Sequence, residues 1–559
     1  MNARTLSLPL AKMFSWDFST LKQDLFAGIT VSLVAIPQSL AYAQLAGVPA
    51  YYGLYAALIP TIVGALFGSS RQLSTGPVAM TSLLTAASVA PLAAHGSELF
   101  YTYVILLALL SGIFQVAFGL LRVGVLLNFL SNPVLMGFIN AAAIIIGLSQ
   151  LPTLLGIPAQ QSEHFLIDMW QVVSHLDGVH ELSLIFGVSA IALLLAFKRW
   201  APKLPGVLIT VVTLTSISYL VGYAAMGGKV VGEIPQGLPS LSIPTMDWHS
   251  SIALLPAAFV IALISFMEAM SSSKVIAIRT REQWDENKEL VGQGLAKIAA
   301  AFCHSMPVSG SFSRSALNLS AEAKTAMSSV IAALFVLLTL LFFTTLLYHL
   351  PKPVLAAIIM MAVINLINFQ VFRKAWIANR DDGIASVITF VATLAFAPNI
   401  QNGILTGILL SLALLMYRMM RPRIALLGMH QDSTLRDAER HDLPPLHPQL
   451  GALRFDGALR FVNVSYFEDA LLKLQRDNPQ MRHVLIKCSG INDLDSSGVE
   501  MLRNLLSRFK ANGIVLTFSG FKKQVLEVMQ RTGLIQEIGA ANLYPTDREA
   551  LDALYKQLA

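Results

Sequence analysis

Charge is scarce in this chain. Of its 559 residues only 13% are Asp, Glu, Lys or Arg, while 55% are hydrophobic. Soluble domains carry roughly 25% charged residues, so a single soluble enzyme of this length is excluded. Cysteine is nearly absent: Cys303 and Cys488 are the two in the chain, too few for a disulfide framework or a cysteine zinc site. Both read as small apolar filler. Residues 1–24 lack an apolar core, so no cleavable signal peptide is expected; Phe14–Lys22 reads as an amphipathic lead-in.

The shortage of charge is uneven. Residues 1–429 hold 23 Lys or Arg against 17 Asp or Glu, and residues 430–559 hold 16 against 16. The net +6 therefore lies wholly in the first part, and the tail has a soluble-domain composition. This is the pattern of an integral membrane protein with one soluble C-terminal domain. The pI near 9.2 does not point to nucleic acid, because the basic residues are scattered over short loops.

From Leu25 to Met420 the sequence is almost continuously apolar. Spans of roughly 20 residues fit about twelve to fourteen helices into it. Their expected places are 25–43, 52–68, 76–92, 99–121, 128–150, 182–197, 206–225, 252–272, 289–303, 311–321, 326–348, 353–368, 384–398 and 401–419. With Arg4, Lys12 and Lys22 inside, every even span should leave into a basic loop. Those exits carry Arg71, Arg122, Lys198 to Lys203, Lys274 to Arg281, Lys324, Arg373 to Arg380, and Arg418 to Arg423. Both termini are expected in the cytoplasm.

Charges inside the spans are few and clustered. The first seven spans have no central Asp, Glu, Lys or Arg. The eighth holds Glu268, and Arg314 opens a short helix after Pro307-Val308-Ser309-Gly310. A charge in hydrocarbon costs at least about 2.5–3.5 kcal/mol on insertion scales, so such residues are functional candidates. Two small-polar turns give them a setting. Ser74-Thr75-Gly76-Pro77 opens the third span, and Ser309-Gly310-Ser311 opens the tenth. Gly and Ser allow a non-helical lead, and Pro77 suits a first helical turn because it needs no N–H donor. Seven spans apart, the two helices run in opposite directions. Facing half-helices would aim free N–H groups and positive dipole ends at one midplane point. Arg314 beside them makes an anion site, and Glu268 a place to couple a proton or cation. Lys297, in the ninth span, is expected to face an interface or pair with an acid.

Several segments together resemble the SulP anion permease family, which includes sulfate permeases and relatives carrying bicarbonate or dicarboxylates. They are Asp24 to Thr30, Ile36 to Ala43, Tyr51 to Tyr55, Gly68 to Arg71, Ser74 to Pro77, Asn287 to Gly294, and Val308 to Asn318 with Ala323-Lys324-Thr325. The resemblance implies fourteen helices in a seven-plus-seven inverted repeat, with a core domain moving against a gate domain in an elevator-like cycle. It implies a substrate set of Gln38, Tyr42, Ser74, Thr75, Gly76, Ser311, Phe312, Ser313 and Arg314, and it marks Glu268 as the ion-coupling position. The chain departs from the pattern at Lys297, where Asn is expected, which favours protons over sodium. The expected activity is proton-coupled sulfate uptake across a bacterial cytoplasmic membrane, without cofactor. Sodium-coupled transport, bicarbonate, C4-dicarboxylates and an uncoupled exchanger or channel stay open. An enzyme is not expected, since no acid/base pair, metal set or nucleophile with its base is grouped in the sequence.

In the tail, strands at 450–456, 458–463, 484–488 and 514–519 alternate with helices at 464–475, 497–512, 522–531 and 546–558, the pattern of an α/β sandwich. The turn Asp493 to Gly498 resembles that of the STAS domain, named for sulfate transporters and anti-sigma-factor antagonists. In the antagonists the serine matching Ser496 accepts a phosphate; here Ser496 reads first as a helix N-terminal residue and second as a regulatory site. The expected division is a segment 1–24, a transport domain 25–421, a linker 422–446 and a cytoplasmic domain 447–559. Expected partners are the small oxyanion, membrane lipid, a second copy in a homodimer, and a cytoplasmic protein at the tail.

Overall fold

The computed structural model describes residues 18–122, 131–157, 165–202, 204–244 and 247–558. The chain divides into two compact units, the second beginning at Leu412. The first unit opens with α1 (Phe18–Leu45), α2 (Ala50–Ala56), α3 (Ile59–Phe67), strand β1 (Ser74–Gly76), α4 (Ala79–Val89) and α5 (Glu98–Leu120). Next come α6 (Asn132–Ser149), α7 (Leu151–Leu155), α8 (Phe165–Ser174), α9 (Glu181–Trp200) and α10 (Gly206–Val221). The second half repeats the plan with α11 (Trp248–Thr280), α12 (Glu286–Phe302), strand β2 (Ser309–Ser311), α13 (Phe312–Ser320) and α14 (Met327–Phe342). It closes with α15 (Thr344–Tyr348), α16 (Lys352–Ile364), α17 (Gln370–Ala378), α18 (Arg380–Ala395) and α19 (Ile400–Met420).

Among the described residues, seven helical stretches are long and apolar enough to cross a membrane, and α4, α10, α14 and α16 are shorter apolar helices. Each of the fourteen expected spans holds a helix or a helix pair, with shifted bounds. The first begins at Phe18, so residues 18–24 of the expected N-terminal segment are its first turns; residues 1–17 lie outside the described residues, as do 128–130 and Lys203. The third span is shorter than 76–92. Its first three residues of signal form β1, and Pro77 falls between strand and helix rather than in a first turn, because residues 74–76 are drawn into pairing with β2. Two amphipathic helices, α8 and α17, stand where no span is expected; both are too short to register as membrane crossings, and α17 is also too polar.

Two bundles make up this unit. In one, α5 packs on α12 and α11, and α1 on α14; in the other, α6 packs on α18 and α9 on α16. The α5–α12 crossing is close because it is built on glycine: a Cβ at Gly112 would lie 2.8 Å from the Gly294 carbonyl oxygen. Without a hydrophobic driving force between helices in lipid, such backbone approach is what holds them together.

The second unit has a six-stranded sheet in the order β4-β3-β5-β6-β7-β8. Its strands are β3 (Arg423–Met429), β4 (Leu435–Asp437), β5 (Leu450–Asp456), β6 (His483–Lys487), β7 (Val515–Ser519) and β8 (Leu543–Tyr544). The run β5 to β8 is parallel, and β3 is antiparallel to both neighbours. Period-two alternation sends Val484 and Ile486 into one core and Leu485 into the other. The first core is roofed by α20 (Val464–Asp477), α21 (Ser496–Ala511) and α22 (Lys523–Arg531), the second by α23 (Asp547–Leu558). The expected linker 422–446 contains β3 and β4, since Ala425, Leu427 and Leu435 have a sheet face to bury. Residues 458–463 do not form a strand; Leu459 makes an isolated bridge to Leu494 and the chain turns into α20.

Candidate functional site

The two interrupted helices meet through their leading strands. Ser74 lies opposite Ser311, Thr75 opposite Gly310 and Gly76 opposite Ser309, in antiparallel register. Local chemistry makes this possible, because Ser, Thr and Gly have small side chains and all six residues are buried. The pairing satisfies backbone groups that broken helices would otherwise leave bare in a nonpolar interior. Past the strands the helix starts differ. At α4 the N-cap Val78 offers no side-chain acceptor, and the first intrahelical bond is that of the Ser82 N–H to the Val78 carbonyl. The first-turn N–H groups of Ala79, Met80 and Thr81 are thus available to an acceptor from outside the helix. At α13 the Ser311 hydroxyl accepts the Arg314 N–H at 3.4 Å.

Arg314 is 2% exposed. It grows from the second half of the chain and its guanidinium is held by the first: Nη1 donates to the Pro77 carbonyl at 2.9 Å and reaches Gln38 Oε1 at 3.5 Å, and Nε reaches Ser74 Oγ at 3.4 Å. Its Nη2 is enclosed and without a protein acceptor. Gly76 keeps this space open, since a Cβ would stand 3.0 Å from that Nη2. A cavity of ≈ 10 Å³ lies beside it, lined by Ser74, Thr75, Gly76, Arg314, Thr61 and Ala35 among others. That is room for about one water, not for an oxyanion. The exposed side chains of Phe312 and Ser313 mark the open face of the α13 start.

Gln38 and Tyr42 are buried on α1, just after Pro37, whose missing N–H leaves the Leu33 carbonyl without its helical donor. Tyr42 lies within electrostatic reach of both Arg314 and Glu268. Glu268, on α11, is partly buried, with Ser309 of β2 beside it, and its Oε2 is enclosed without a partner. All ten expected transport-site residues therefore gather around one strand pair. Within that group Thr75 is turned inward, accepting from Gln293 Nε2 at 2.8 Å while its carbonyl accepts from Thr61.

Lys297 corrects the expectation of an interface, and it lies within electrostatic reach of the acid Glu268 while its hydrogen bonds go to neutral groups. It is 0% exposed, and Nζ donates to Gln115 Oε1 at 2.6 Å and to Ser265 Oγ. The close α5–α12 crossing leaves no route to an interface.

Two buried carboxylates escaped the sequence reading as clasps between the halves. Asp24 on α1 accepts the N–H groups of Lys324 and Thr325 at 2.7 and 3.1 Å and the Thr325 hydroxyl at 2.5 Å. Glu289 on α12 accepts those of Ser69 and Ser70 at 2.9 and 2.8 Å. Their signal was present: Asp24 to Thr30, Gly68 to Arg71, Asn287 to Gly294 and Ala323-Lys324-Thr325, four of the segments that carry the family resemblance, each contain one partner of a clasp.

In the second unit, Ser496 is exposed at the first position of α21, where Asp495 caps the helix by accepting the Gly498 N–H at 2.8 Å. It opens on a groove of ≈ 440 Å³ with Val464, Glu468, Glu500, Met501 and Asn504.

Comparison with known proteins follows this division. The sulfate permease family model matches residues 21–389, and the STAS domain model matches 444–550. A protein of Arabidopsis thaliana named probable sulfate transporter 4.2 is 34% identical over 537 residues, covering 93% of this chain and 79% of its own. A probable sulfate transporter of Mycobacterium tuberculosis is 31% identical over 539 residues, covering 96% of each. The structure of murine Solute Carrier 26 family member A9, an anion transporter in the inward-facing state, superposes with a TM-score of 0.90 at 21% identity, over 100% of this chain and 95% of that one.

Proposed function

The chain belongs to the sulfate permease family, and from that premise we propose that it carries sulfate into the cell by proton-coupled secondary transport. The observation that carries this reading is the strand pair with Arg314. One guanidinium with an enclosed, unpartnered Nη2 and an uncapped helix start converge where two oppositely directed helices are broken. Donors of this kind suit a tetrahedral oxyanion. Glu268 supplies the titrating group: it takes a proton with the anion on one side and releases it on the other. The strand pair lies in the bundle of α1, α5, α11, α12 and α14, which moves as a body against the other bundle, elevator fashion. The protein sits in a bacterial cytoplasmic membrane with both termini inside, two copies associate, and the second unit regulates transport, with Ser496 as a modifiable position.

Purified protein in liposomes tests this. Labelled sulfate should accumulate under an inward proton gradient, and a protonophore should abolish the accumulation. Excess bicarbonate, fumarate or chloride should compete less well than unlabelled sulfate. Flux no faster than that of empty vesicles would end the reading.

A further inference from the structure

Three ionisable side chains surround the strand pair, and the transport reading uses two of them, Arg314 and Glu268. Lys297 is the third. Its ammonium is sealed from solvent and meets two neutral acceptors, Gln115 on α5 and Ser265 on α11. Neutral acceptors solvate a cation without cancelling it, so when Lys297 is protonated its charge acts on its surroundings through a low-dielectric interior. Those surroundings are the site. The Ser265 carbonyl accepts the Ser309 hydroxyl at 2.8 Å, Ser309 is the strand partner of Gly76, and Glu268 follows Ser265 by one turn of α11.

The groups facing Glu268 are Lys297 from α12, Arg314 from α13 and Tyr42 from α1. Helix α4 contributes no ionisable residue, and α5 presents Gln115. Charge can therefore be counted. When both are protonated, Arg314 and Lys297 are two positive charges, and Glu268 is one negative charge that a proton removes. A dianion bound with Glu268 protonated brings the sum over these three groups and the anion to zero. A monoanion reaches zero with Glu268 ionised, and so without a proton. If Lys297 were neutral, a dianion would leave one uncompensated negative charge with Glu268 protonated and two with it ionised.

We propose that Lys297 sets the valence of the carried anion, making the site one for a divalent oxyanion that travels with one proton. This rests on the transport reading above and narrows it.

Sulfate and nitrate serve as the divalent and monovalent probes, with dissociation constants measured on the full-length protein in detergent. Lys297→Met should weaken sulfate binding at least about tenfold, equivalent to about 1.4 kcal/mol, and leave nitrate unchanged or tighter. Lys297→Arg should keep the wild-type ratio of the two constants. An unchanged ratio in Lys297→Met, or an equal fall in Lys297→Arg, overturns the proposal, the latter because packing alone would then explain the loss. If Lys297→Met does not fold, Gln115→Glu serves instead. It sets a carboxylate against the ammonium while keeping the lysine, and should lower the ratio as Lys297→Met would; an unchanged ratio overturns the proposal. Wild-type protein that accumulates sulfate with protons while the variants keep its ratio defeats this inference alone. Wild-type protein that neither binds nor carries sulfate defeats the transport reading and this inference together.

Discussion

Arg314 donates from Nη1 to the backbone carbonyl of Pro77 across 2.9 Å, joining residues 237 positions apart in sequence. The guanidinium is thereby aimed by the opposite repeat, with Gln38 and Ser74 completing its frame. Arg314→Met should cut sulfate uptake on the order of 10²-fold, because losing one partner of a buried charged pair costs about 2–5 kcal/mol. Arg314→Lys should recover little of it, since an ammonium cannot fill a planar fork. Uptake into liposomes checks both; near-wild-type flux in Arg314→Met would remove this residue from the site.

Glu268→Gln keeps the shape of the side chain and deletes its proton exchange. Sulfate binding should persist, and an inward proton gradient should no longer accelerate uptake. Initial rates with and without the gradient decide it. Stimulation equal to wild type would mean that the proton is carried elsewhere.

Gly76→Ala places a methyl group 3.0 Å from Arg314 Nη2. The guanidinium must yield by a few tenths of an ångström, an overpacking cost of about 1–3 kcal/mol. The expected outcome is folded protein with sulfate affinity lowered about tenfold. Unaltered affinity would show that Arg314 is free to move.

Asp24→Asn and Glu289→Gln remove the charge from carboxylates that accept two or more N–H or O–H donors. Each should lower stability by about 1–3 kcal/mol, read as a reduced melting temperature in detergent. Glu289→Gln retains an acceptor and the same length, so a larger loss there would indicate a role beyond the clasp.

Cys488 is 0% exposed in the second unit, and burial pushes its thiol well above the usual cysteine range. Thiolate is the reactive form. In a Cys303→Ser chain, iodoacetamide at pH 8 should modify the native protein at least about tenfold more slowly than the unfolded one. Equal rates would show that this face of the sheet opens.

Much of this architecture is legible along the chain. Glycine, serine and proline at 74–77 and 309–311 break helices wherever they fall, and the alternation of strands and helices announces an α/β tail. The short amphipathic helices α8 and α17 were not legible, because a hydropathy window averages their polar face with their apolar one. Strands β3 and β4 were missed because they are short and the His, Asp and Pro residues around them, such as His430, Asp432, Asp442 and Pro444, read as linker.

Composition and local propensity are properties of neighbours, so the amino-acid sequence by itself determined the membrane character, the interrupted helices and the soluble tail. Tertiary structure alone decided that β1 and β2 pair with each other, that Pro77 faces Arg314, and that Lys297 is buried against Gln115 rather than an acid. Those relations join residues some 180 to 240 positions apart. No local preference encodes them; they arise because glycine-lined helices pack closely enough to bring distant polar groups within bonding range where no water can serve instead.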